Sequence, residues 1–70
     1  MKVTSWTTIK DYAQIKGGRQ ANTLSAMISA FMRENKPVRK IEVNGVKTPV
    51  WEWEDCLLRK AGGTTLIIEL

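Results

Sequence analysis

Asn44-Gly45 lies between two runs of alternating character, Arg39-Lys40-Ile41-Glu42-Val43 and Val46-Lys47-Thr48-Pro49-Val50. Asn-Gly suits the two positive-φ positions of a type I′ turn, whose twist matches that of paired strands. A two-residue loop also fixes the register: Val43 faces Val46, Glu42 faces Lys47, Ile41 faces Thr48 and Lys40 faces Pro49. Ile41, Val43, Val46 and Val50 then share an apolar face. Lys40, Pro49 and the cross-strand pair Glu42–Lys47 occupy the other. Pro49 falls at a pair without ladder hydrogen bonds, so its missing N–H removes none.

The strongest periodicity precedes the hairpin. Leu24, Met27, Ile28 and Phe31 recur at i, i+3, i+4 and i+7, with Ala21 and Met32 flanking them, which predicts a helix from Ala21 to Asn35. Asn35 and Pro37 end it. The opposite side carries Asn22, Thr23, Ser25, Ala26, Ser29 and Arg33, a surface of small and polar residues. Upstream, Thr8-Ile9-Lys10-Asp11 has the spacing of a capping box with Asp in place of Glu or Gln. The Thr8 hydroxyl is placed to accept from a first-turn N–H. Ile9, Tyr12 and Ala13, with Ile15 at the margin, give a short apolar face that Gly17-Gly18 closes.

Downstream, Trp53 to Lys60 reads as a third helix, with acids at its start, Arg59 and Lys60 at its end, and Trp53, Cys56 and Leu57 on one face. Gly62-Gly63 follows it. The tail Thr64 to Leu70 is β-prone and apolar. It is suited to pair with an extended lead-in, Met1 to Trp6, or with another chain.

Seventy residues make one domain, residues 1–70, with a core that buries only about 60% of the unfolded surface. Hydrophobic content of 43% against 26% charged residues excludes wholesale disorder. One cysteine and no histidine exclude an internal disulfide, Cys/His zinc sites and a His-based catalytic triad. No nucleophile–base pair or metal-ligand spacing is present, so the expectation is a non-enzyme without cofactors. No run is long enough for a membrane helix and no apolar leader precedes the domain, which points to the cytoplasm.

The charge is unevenly placed. Residues 16–47 carry seven Lys or Arg against two Glu, whereas residues 48–70 carry two against four acids. A basic front with an acidic back suits a polyanion such as nucleic acid.

The order Thr8-Ile9-Lys10-Asp11-Tyr12-Ala13, Gly18, Thr23-Leu24, Met27-Ile28, a Gly-turned hairpin, Trp51 and Asp55 resembles the winged-helix family of phage excisionases and MerR-like regulators. The resemblance covers about residues 6–60. It implies an α+β fold: a small winged helix-turn-helix of two or three short helices, a β-hairpin wing and an added strand from the termini. It further implies a non-catalytic protein that bends or regulates double-stranded DNA, an excisionase (recombination directionality factor) or a small transcriptional regulator. The second helix would enter the major groove and the wing would touch the adjacent groove or backbone. Further partners implied are a second copy assembled cooperatively on DNA, or a recombinase. Carried over by position, Asn22, Thr23, Ala26 and Ser29 face the groove, and Lys40, Asn44 and Lys47 lie on the wing. Lambdoid excisionases place arginines near the Ser25, Ala26 and Ser29 positions. This helix has none there, so backbone docking outweighs reading of guanine edges.

From the residues themselves, Lys16, Arg19 and Gln20 at the helix start are candidates for phosphate, as are Ser25, Ser29 and Arg33 along the helix and Arg39, Lys40 and Lys47 in the hairpin. Asn22 has the amide that reads adenine. The three tryptophans read as core rather than base-stacking platforms, and Cys56 as a buried structural thiol. The competing reading is a protein-interaction module or inhibitor on the same skeleton, with the small-residue helix face and the apolar tail as its contacts.

Overall fold

The computed structural model describes residues 2–70. These form β1 (Thr7–Thr8), α1 (Ile9–Lys16), α2 (Ala21–Glu34), β2 (Arg39–Val43), β3 (Val46–Trp53), β4 (Cys56–Ala61) and β5 (Thr64–Glu69). The strands make one antiparallel sheet in the order β1-β5-β4-β3-β2. The α+β class therefore holds, but the winged helix-turn-helix does not. A five-stranded sheet replaces the expected third helix and the lone wing.

Three two-residue turns generate β2 to β5 as a meander, closed by the pairs Val43↔Val46, Trp53↔Cys56 and Ala61↔Thr64. The first has φ +51° at Asn44 and +81° at Gly45, as a type I′ turn requires. All four register pairs expected around it are present. The second explains the lost helix. Glu54 and Asp55 both take positive φ, +47° and +63°, and turn the chain where a helix was expected to begin. Neither is glycine, and L-residues reach this region at a conformational cost, so composition concealed the turn. Arg59 and Lys60 consequently do not cap a helix C-terminus. They are neighbours on β4 and point to opposite faces.

The tail becomes an interior strand, paired with β4 from Thr64 to Glu69 on one side and with β1 at Leu66 and Ile67 on the other. The lead-in pairs less regularly than expected. Of the expected Met1–Trp6 strand, Met1 lies outside the described residues. Residues 2–6 form no strand; only Thr7 and Thr8 pair with β5, although Val3 exchanges hydrogen bonds with Glu69.

Both helices cover one face. Leu24, Ile28 and Met32 of α2 pack with Ile9 and Ala13 of α1 onto Cys56, Leu58 and Ile67, flanked by Trp51 and Trp53. Full burial of side chains such as Ile28, Leu58 and Ile67 contributes roughly 1.5–3 kcal/mol each. The α2 stripe is turned slightly from the expected one: Met32 enters the core while Met27 is 40% exposed, and Ile15 of α1 is exposed as well. Thr8 caps α1 as expected, its Oγ1 accepting from the Asp11 N–H at 3.2 Å. Asn35 ends α2, its Nδ2 donating to the Phe31 carbonyl. The other sheet face bears Leu57, Arg59, Leu66 and Ile68, with the Arg59 guanidinium over the Trp6 ring at 4.8 Å.

Candidate nucleic-acid interface

The cations of residues 16–47 divide into two groups. Lys16 pairs with Glu69 at 3.0 Å, Arg19 with Glu54 at 3.2 Å and Arg39 with Glu52 at 3.3 Å. Arg19 also lies 5.8 Å from the centre of the Trp53 ring. These three were expected to meet phosphate, but each already faces a carboxylate. Arg33, Lys36, Lys40 and Lys47 make no ion pair or hydrogen bond among the described residues, and all four are exposed. The expected cross-strand pair Glu42–Lys47 is in register, but no ion pair forms.

Along α2, Asn22, Thr23, Ser25, Ala26 and Ser29 are exposed, as a docking helix needs. Gln20 is the N-cap but makes no side-chain capping bond, and the first turn of α2 holds no acid. Its terminal N–H groups therefore retain their attraction for an anion. Asn44 is held at the tip of the β2–β3 hairpin by its turn, at the far end of that arm from α2.

Folding brings Ser29 and Arg33 together with residues that periodicity did not select. Ser29, Met32 and Arg33 line one wall of an open groove of about 490 Å³, and Trp51, Lys60 and Thr65 line the other. Lys60 reaches it because β4 alternates: Cys56 and Leu58 face the helices, so Lys60 does too, beside its register partner Thr65. Read as a strand, Cys56-x-Leu58-x-Lys60 would have revealed this. Trp51 is fixed at the groove by its Nε1, which donates to the Asn35 carbonyl at 2.8 Å. Nearby in the chain, Lys36, Lys40 and Pro49 line a shallower depression on the arm. Among the described residues, unpaired cations thus stand at the groove (Arg33 and Lys60), at the depression (Lys36 and Lys40) and further out on the arm (Lys47, whose register partner is Glu42).

Away from this surface, the Tyr12 hydroxyl and the Cys56 thiol lie 3.4 Å apart. Burial, and then this hydrogen bond, push the tyrosine well above its usual range. Burial raises the thiol too, against the lowering effect of Tyr12. Cys56 therefore stays protonated at neutral pH, the opposite of what a nucleophile needs. Among the described residues no group of three or more His, Cys, Asp or Glu could hold a metal ion, and no helix is long and apolar enough to cross a membrane.

Electrostatically the surface is suited to a chain of phosphates, and its helix wall is shallow enough to approach one closely. Comparison with protein-family models, with curated proteins and with solved structures gave no match, so the chain's own geometry carries the functional reading.

Proposed function

We propose that this protein binds double-stranded DNA in the cytoplasm as a small non-catalytic accessory factor, of the excisionase or transcriptional-regulator kind. α2 docks in the major groove, and the β2–β3 arm grips the neighbouring backbone. The observation that carries the reading is the division of cations. Arg33, Lys36, Lys40, Lys47 and Lys60 have no anionic partner among the described residues, while Lys16, Arg19 and Arg39 are held by Glu69, Glu54 and Glu52. Lys2 and Lys10 are unpaired among the described residues as well, but these five lie on or between α2, the arm and β4, and cations left without partners attract a polyanion and release its counterions. The exposed helix face has small residues at Ser25, Ala26 and Ser29 and so permits close approach, with no arginine there to read guanine. Backbone affinity dominates and sequence preference is modest.

A fluorescence-anisotropy titration on random-sequence duplex DNA at two salt concentrations tests this. Affinity falls with salt at a log–log slope of roughly −0.9 per phosphate contact. Replacing Lys40 and Lys47 together by alanine weakens binding to every sequence and flattens the slope by about 1.8. Arg19→Ala and Arg39→Ala have smaller effects, because their partners already compete. Absence of duplex binding at low salt sinks the proposal.

A further inference from the structure

We infer that the groove between α2 and the sheet takes one unpaired nucleotide of a DNA strand, so that duplexes with a single-stranded extension bind better than blunt ones. The inference rests on the DNA-binding reading and adds the class of nucleic acid. The groove has no carboxylate on its lining, and its two cations, Arg33 and Lys60, stand on opposite walls. One phosphodiester between them would find two donors and no repulsion. Between the cations the lining is apolar: Met32, itself part of the core, and Trp51, held in place by its bond to the Asn35 carbonyl. A phosphate backbone alone has no use for such a surface, whereas a base does. Single-strand binders combine an indole and a cationic rim in this way, with stacking that tolerates any base. Ser29 and Thr65 add hydroxyls for a sugar or base edge. At about 490 Å³ the open groove has room for one nucleotide but not for a duplex.

The test is anisotropy of the full chain with three labelled probes, a blunt duplex, the same duplex with a short thymidine overhang and a free thymidine oligomer, and with thymidine monophosphate as an unlabelled competitor. The overhang duplex should bind roughly tenfold more tightly than the blunt one. Arg33→Ala with Lys60→Ala alters only exposed side chains. It should bring that ratio close to one. Lys40→Ala with Lys47→Ala should weaken both duplexes alike and preserve the ratio. Equal affinity of the wild type for blunt and overhang probes overturns the inference but leaves duplex binding standing. So does a ratio unchanged by the groove variant. Binding of the oligomer and overhang without the blunt duplex supports the groove and overturns the duplex reading instead. No binding to any probe overturns both. Thymidine monophosphate binding as tightly as the oligomer would mark a pocket for free nucleotides, and the inference fails.

Discussion

The two halves of the sheet are built differently. β4 and β5 lie beneath both helices, and Leu58 and Ile67 are wholly buried. The β2–β3 arm contributes no residue between Arg39 and Pro49 to that core. Its Val46 is 64% exposed, and Val50 alone is fully buried, where the arm joins the sheet. Both halves are antiparallel ladders closed by two-residue turns. One is specified by tertiary packing, the other by its turn and its own cross-strand pairs. The difference suits the proposed chemistry, because an arm that owes little to the core can carry unpaired lysines and adjust to a backbone at small cost.

The largest expected contrast is between truncations in the two halves. Ile67→Ala should cost about 2–5 kcal/mol, most of what a domain this small possesses, whereas Ile41→Ala in the arm should cost about 1 kcal/mol or less. Urea denaturation measures both, and comparable losses would break the comparison. Next come the turns. Gly45→Ala places a side chain at φ +81° and should destabilise the arm by about 1 kcal/mol. Amide exchange should then quicken in β2 and in the first half of β3, leaving β4 unchanged. Glu54→Asn should act in the opposite sense, because asparagine tolerates positive φ better. A gain of about 0.5 kcal/mol is expected after loss of the exposed Arg19 pair, which contributes only tenths.

The smallest effect concerns acid. The backbone N–H of Val3, and then Lys16, hold the Glu69 carboxyl below the usual glutamate range. Its folded pKa is lower than its unfolded one, so its contribution is complete above about pH 4.3 and is lost as pH falls through the folded value. Glu69→Gln should lose that small contribution at neutral pH, so that its stability converges with the wild type's as pH falls through the acid window and the acid limb is flatter. A parallel acid limb in the variant would exclude Glu69 as its source.

Local chemistry had made some of these elements legible in advance. Asn44-Gly45 needs no neighbour to choose its turn, and Thr8 with Gly17 bounds α1 by satisfying or ending a few backbone groups. α2 was legible because its apolar spacing matches the helical period, although the exact face was not: Met27 and Met32 are both plausible at the stripe's edge, and only the sheet beneath chose Met32. Trp53 to Lys60 misled because acids first and bases last, with Trp53, Cys56 and Leu57 in helical phase, satisfy the rules for a helix, while Glu54-Asp55 is a rare composition for a left-handed turn. The binding surface was half legible. Its lysines in the arm could be read directly, but the spent status of Lys16, Arg19 and Arg39 depends on carboxylates more than ten residues away in the chain.

The sequence by itself thus determined the first hairpin's register, both helices and the excess of positive charge in the middle of the chain. Each depends on residues within a turn or two of one another. Tertiary structure decided the strand identity of residues 56–61, the interior place of β5 and the meeting of Arg33 with Lys60 across the groove. These depend on which surfaces are buried together, and burial is settled between segments distant in the chain.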